Sequence, residues 1–200
     1  MLRRLAIVMV PFIAIFAAKA HAGSCIGAGE YLLKQYAQKG DPQAQYQLSE
    51  TLSAEGCQQE AMRWLQRAVS QDHAEATFIL GIRYITGTGV TEDLLRGLNL
   101  MEKAARIGHL EAQFQYAMVL LDSSVSHDHR DQALYWLGAA ASQGDTKAAL
   151  TLGHIYAAGL HGVEQHTCQA SDWFEAATLL ASDVNLDISN LIPDDLRCDT

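Results

Sequence analysis

The residues whose types could do chemistry in this sequence are four cysteines, Cys25, Cys57, Cys168 and Cys198, and two histidine-bearing stretches. The first stretch is His127-Asp128-His129 with Asp131 behind it; the second holds His161 and His166. A structural zinc site needs closely paired cysteines or histidines, and the chain has no Cys-x-x-Cys. The histidine stretches offer metal-ligand types, but their spacing fixes no set of three ligands, so they read as exposed loops and no metal is expected. Gly87-x-Gly89 has the look of part of a phosphate loop, yet the third glycine, the lysine and the preceding strand are missing. A similar glycine pair, one residue wider, returns at Gly159 and Gly162, which makes it a recurring turn. No serine lies in a Gly-x-Ser-x-Gly elbow. The sequence therefore nominates no catalytic residue, and neither an enzyme nor a cofactor is expected.

What positions these residues is a repeat. Thirty-six residues take Ala76 to Ala112 and Ala104-Ala105 to Ala140-Ala141; thirty-six more take Ala112 to Ala148, and Gly108 likewise maps to Gly144. A period of this length marks a solenoid. In the stretch Asp72 to Ile107, Ala76, Leu80, Gly81 and Tyr84 recur at helical spacing, and so do Leu95, Leu98, Met101, Ala104 and Ala105. The prediction is two helices per repeat, parted by Gly87-Thr88-Gly89-Val90.

These residues resemble the Sel1-like repeat, a relative of the tetratricopeptide repeat. The resemblance rests on the Gly-Asp openings (Gly40-Asp41, Gly144-Asp145) and the Ala-x-x-x-Leu-Gly runs (Ala76 to Gly81, Ala148 to Gly153). It rests also on Tyr84 and Tyr156, the Gly-x-Gly-Val loop, and a tryptophan followed by paired alanines. It implies an all-α fold, a right-handed α-solenoid of antiparallel helix pairs capped at both ends. The expected divisions are a leader at 1–22, a capping helix at 23–39, repeats at 40–71, 72–107, 108–143 and 144–180, and a C-terminal cap at 181–200. In the N-terminal cap Leu32 takes the place that Trp136 has in a full repeat; in the C-terminal cap Leu186, Ile188, Leu191 and Ile192 are expected to cover the last repeat.

The leader is read from Arg3 and Arg4 ahead of an apolar run from Leu5 to Ala18 and from Ala20-His21-Ala22, an Ala-x-Ala cleavage signature. That run is too short to cross a bilayer as a stable helix. A rival site, Ala22-Gly23-Ser24-Cys25, loosely resembles a lipidation box; cleavage after Ala22 is preferred, which places the protein in the periplasm. Cleavage removes Arg3, Arg4 and Lys19 and no acid, so the 14 basic residues fall to 11 against 23 acidic ones, a net charge of −12. Such a chain repels nucleic acid and anionic membrane and suits a basic protein partner.

An even number of cysteines in an exported chain favours disulfides, and sequence alone allows three pairings. Cys25 and Cys57 fall at the first end of the array, Cys168 and Cys198 at the last. Because each repeat of a solenoid touches only its neighbours, that placement favours Cys25–Cys57 and Cys168–Cys198. Each bridge would close a loop of roughly 30 residues, worth about 3–4 kcal/mol in the chain-entropy model.

The surface left for function is the inner curve, lined in folds of this type by the first helix of each repeat. Removing the positions needed for the core leaves Gln47, Glu50, Ile79, Ile82, Arg83, Gln115, Met118, Val119, Thr151 and His154 as candidate partner-binding residues. Ile79, Ile82, Met118 and Val119 form an apolar centre with Glu50, Arg83 and Gln115 at its rim, the composition of a protein contact site. The resemblance implies a non-enzymatic binding module with one protein partner. Exported proteins of this kind include immunity proteins that occlude a type VI secretion effector; the alternative is a structural envelope component, such as the periplasmic protein of a sodium-driven polar flagellar motor, or a general assembly scaffold.

Overall fold

The computed structural model describes residues 31–122, 129–183 and 186–193. The leader, Cys25, Cys198, most of the His127-Asp128-His129 loop and the last seven residues lie outside them. Among the described residues all regular structure is helical: α1 (Tyr31–Gln38), α2 (Pro42–Ala54), α3 (Gln58–Val69), α4 (Ala74–Thr86), α5 (Leu94–Ile107), α6 (Leu110–Leu121), α7 (Arg130–Ser142), α8 (Thr146–Ala158) and α9 (Thr167–Asp183). Short 3-10 turns lie at Leu160–Gly162 and Ser189–Leu191.

Local sequence sets these boundaries. Asp41 Oδ1 accepts the Ala44 N–H at 2.7 Å ahead of Pro42, which starts α2 where its missing N–H costs nothing. Asp93 caps α5 in the same way, through the Arg96 N–H at 3.0 Å. Gly108 ends α5 in the left-handed conformation (φ 101°), a backbone state that a side chain would disfavour. Gly40 and Gly144 occupy the matching corners with φ 99° and 98°; in the second repeat Asp72 takes that role at φ 56°, a conformation short polar residues tolerate.

The helices pack as consecutive pairs, α2 with α3, α4 with α5, α6 with α7 and α8 with α9, and each pair contacts the next through α3–α4, α5–α6 and α7–α8. Each second helix therefore serves two interfaces. Ala61 and Trp64 of α3 bury against Leu48 and Leu52 of α2, while Leu65 and Ala68 bury against Ala76, Leu80 and Tyr84 of α4. From Phe78 onward one continuous core runs through Trp136, Leu137, Leu152 and Ile155 to Ile188. The paired alanines are buried because the helix backbones approach closely there.

Four residues expected to be covered lie outside instead. Leu95 is 76% exposed, because the inward position in the first turn of α5 belongs to Gly97. A Cβ on Gly97 would fall 2.9 Å from the Gly81 carbonyl and 3.0 Å from the Ile85 nitrogen, so the contact of α4 with α5 is one of backbone on backbone. Leu32 is 66% exposed although Trp136, at the matching position, is buried. Trp136 is covered by the first helix of its own pair, and among the described residues α1 has no helix before it. At the other end Ile188 is buried and Ile192 packs on the core as expected, but Leu186 and Leu191 stay exposed. The short 3-10 turn at Ser189–Leu191 cannot present all four residues to one side.

Candidate interaction surface

The first helices lie side by side, joined directly by side chains. Arg83 of α4 donates from Nη2 to Ser53 Oγ of α2 at 3.0 Å. The imidazole of His73, at the start of α4, stacks on Tyr46 of α2, with centroids 5.1 Å apart. His109, at the start of α6, stacks on Phe78 of α4 at 4.5 Å, and Lys147 of α8 lies over the Phe114 ring of α6 at 6.0 Å. One continuous face of α2, α4, α6 and α8 results, and the candidate binding residues lie on these four helices.

Their surroundings differ. Gln47 and Glu50 are exposed, and Glu50 takes the Tyr46 hydroxyl as a partner. Burial, and then this carboxylate, push the Tyr46 phenol up from its ordinary value; Glu75 acts in the same direction and Arg83 against it. Ile79 and Ile82 are half-buried and pack against the core, so they contribute to stability as well as to the surface. Val119 is half-buried, and Met118 on the same turn is 41% exposed. Gln115 is held by Glu111 through a 2.7 Å hydrogen bond, and Thr151 donates to the Lys147 carbonyl at 2.7 Å. His154 is exposed, its ring edge-on to Phe174, and opens on a groove of about 500 Å³ lined also by Ala157, Leu160, Gln165 and Pro193.

Two features escaped the sequence reading. Gln45 and Gln113 are buried, each donating to the carbonyl of a helix end, Ala37 and Ala105, both at 3.1 Å. Each also accepts from the glutamine at the end of its pair, Gln71 at 2.8 Å and Gln143 at 2.6 Å. The signal was available, since Gln45, Gln71, Gln113 and Gln143 recur in register. The second feature is that His73 and His109 stand where Asp41 and Asp145 stand in the outer repeats, and they cap their helices in the aspartates' place.

Cys57 and Cys168 each take part in a disulfide. Among the described residues no group of three histidine, cysteine or acidic side chains is placed to hold a metal ion, and no helix is long and apolar enough to cross a membrane.

Comparison with known proteins fits this geometry. The Sel1 repeat model matches residues 42–73, 74–109 and 110–145, three consecutive units that each begin at a first helix. Among curated relatives, an uncharacterized protein of Neisseria meningitidis is 28% identical over 69% of this chain, which spans only 26% of that protein's length. The Sel1-repeat-containing protein YjcO of Escherichia coli is 27% identical over 88% of this chain and 75% of its own. Of solved structures, a Sel1 repeat protein from Oxalobacter formigenes superposes with a TM-score of 0.67 at 27% identity, over 78% of this chain and 47% of the other. An immunity protein from Pseudomonas aeruginosa shares the fold with a TM-score of 0.59 at 24% identity, over 84% and 66%. With the matched units running through residues 42–145 of 200 and the helix pairs stacked in the same register, the chain belongs to the Sel1 repeat family.

Proposed function

We propose that this Sel1-repeat interaction module holds one protein partner against the face of its first helices, with Met118 at the centre of the contact. The observation that carries the reading is the exposure of Met118, 41%, in the middle of the array, on the turn that carries Val119 and one repeat on from Ile82. A large flexible apolar side chain left in water among the half-buried Ile79, Ile82 and Val119, with Glu50, Arg83 and Gln115 at the edge, suits a contact with an apolar core and a polar rim.

The finer reading is an immunity protein. In that role the chain would bind a secreted effector and keep its active site from substrate by steric cover alone. The small size of the chain and its net charge of −9 support a soluble basic target, and an immunity protein with the same fold is a precedent for the use of such an array. The reading puts the mature chain in the periplasm after cleavage following Ala22, with repeats at 40–71, 72–107, 108–143 and 144–180. It also pairs Cys25 with Cys57 and Cys168 with Cys198.

The test is a pull-down from periplasmic extract with the mature chain, beside a Met118→Glu variant whose helical circular dichroism is first matched to the native protein. Loss of one retained protein from the variant supports the contact, and identification of that protein by mass spectrometry decides the role. A toxin whose effect on growth the native chain suppresses makes the chain an immunity protein; a structural envelope protein makes it an assembly component. Equal retention by both chains removes the first-helix face from consideration.

A further inference from the structure

We propose that His73 and His109 are pH-responsive caps at the joints between consecutive helix pairs, so that mild acid frees the first turns of α4 and α6 while that of α8, which Asp145 caps, stays closed. The proposal stands on the two joints' shared geometry and does not depend on which partner the protein binds.

At His73 the Nδ1 atom accepts the Ala76 N–H at 3.1 Å, capping α4, and Nε2 lies 2.8 Å from Gln43 Oε1 on α2. At His109 the arrangement repeats one unit later: Nδ1 accepts the Ala112 N–H at 3.1 Å and Nε2 lies 2.8 Å from Glu75 Oε2 on α4. Each ring also stacks on an aromatic residue of the preceding first helix, Tyr46 or Phe78, at an interplanar angle of 24°. One imidazole thus makes three contacts at once: a helix cap, a cross-pair hydrogen bond and a ring stack.

This arrangement fixes the tautomer. A backbone N–H can only donate, so Nδ1 must carry a free lone pair, and the single proton of the neutral ring lies on Nε2, where it donates to Gln43 or Glu75. A second proton can enter only at Nδ1. There it turns an acceptor toward a donor and sets a positive charge against the positive end of a helix, so the protonated ring must give up the cap. At the last joint Asp145 caps α8 through Oδ1, accepting from Lys147 at 2.8 Å and Ala148 at 3.3 Å, with no imidazole involved.

The charged groups facing these rings act in both directions. Around His73 they are Asp41, ahead of α2, Glu75 on α4 and His109 across the groove; Gln43 and Tyr46 of α2 complete the surroundings. Burial holds His73 below its usual range, His109 adds to that, and Glu75 and Asp41 work against it. Around His109 are Glu75 and Phe78 of α4 and, with His73, Glu111 of α6 along the same groove. Glu75 can hold a protonated His109 by its Nε2 side, which keeps the cross-pair contact there while the cap is lost; Gln43 gives His73 no such charge.

The test is hydrogen exchange of three backbone amides in the intact mature chain: Ala76 and Ala112, capped by histidine, and Ala148, capped by aspartate. Between about pH 7.5 and about pH 5, the first two are expected to lose protection by roughly fivefold, the equilibrium worth of one N-cap, relative to Ala148. A His73→Asn/His109→Asn variant, whose caps do not titrate, is expected to lose that difference, and ¹⁵N spectra of the native imidazoles are expected to show an unprotonated Nδ1 at neutral pH. Protection at Ala76 and Ala112 that follows Ala148 throughout, including an equal loss at all three, overturns the proposal. So does a difference that persists in the variant, or a protonated Nδ1 at neutral pH.

Discussion

At the scale of single residues, two helical glycines of this protein have opposite roles. Gly97 is where α5 touches α4: a Cβ there would meet Ile85 Cγ1 at 2.5 Å and the Gly81 carbonyl at 2.9 Å, and the second of these is backbone. Gly97→Ala should force the helices apart and lower stability by about 1–3 kcal/mol, readable in chemical denaturation. Gly138 in α7 has nothing within 4 Å of the position a Cβ would take. Gly138→Ala should therefore stabilise the protein by about 0.5–1 kcal/mol through helix propensity and a less flexible unfolded chain. A loss of stability at Gly138, or none at Gly97, would contradict the packing described for α4 and α5. The alanine and glycine pattern was legible as a repeat signature, but the sequence could not distinguish these glycines, because the difference lies in what stands opposite each.

At the scale of elements, the same repeat position has different energetic weight in different helices. Trp136 of α7 is 7% exposed, edge-on to Tyr116 of the first helix of its pair, whereas Leu32 of α1 is 66% exposed. Trp136→Ala should cost about 3–5 kcal/mol, and Leu32→Ser should stay within about 0.5 kcal/mol of the native chain. Thermal unfolding of the two variants side by side checks the contrast. The buried glutamines act between elements. Gln113 satisfies the Ala105 carbonyl at the end of α5 and accepts from Gln143 at the end of α7, so it ties two second helices to one first helix. Gln113→Leu leaves a helix-end carbonyl and a side-chain amide without this partner and should cost about 1–3 kcal/mol, measured as a shift in denaturation midpoint.

At the scale of the whole molecule, stability is built from neighbour contacts, so conditions that weaken a joint act locally before they act globally. The pH dependence has a definite sign. His73 is held below its ordinary value of 6.5, so the folded protein binds fewer protons at this site than the unfolded chain between the folded value and that one. The site's contribution is fully present above pH 6.5 and is lost as pH falls from there through the folded value. Denaturation midpoints taken across this range should decline on the acid side, and His73→Asn should flatten the decline. Outside the joints, the exposed pair Lys103–Asp72, 2.6 Å apart with side chains 43% and 68% exposed, should contribute no more than about 1 kcal/mol and weaken with salt.

The sequence by itself determined the period, the pairing of helices, the corners at Gly40, Gly108 and Gly144, and hence the solenoid, because spacing and backbone preference are local properties. The family resemblance also nominated the first helices for the proposed partner contact. Tertiary structure alone decided which apolar residues are covered. Leu95 and Leu32 have the right spacing but no helix over them, while Ile79 and Ile82 are half taken up by the core. It decided, too, that His73 and His109 are caps and cross-pair contacts, since the oxygen and the ring each one meets belong to a helix about thirty residues earlier. Periodicity gives the direction a side chain leaves its helix; only the packed array shows what it meets there.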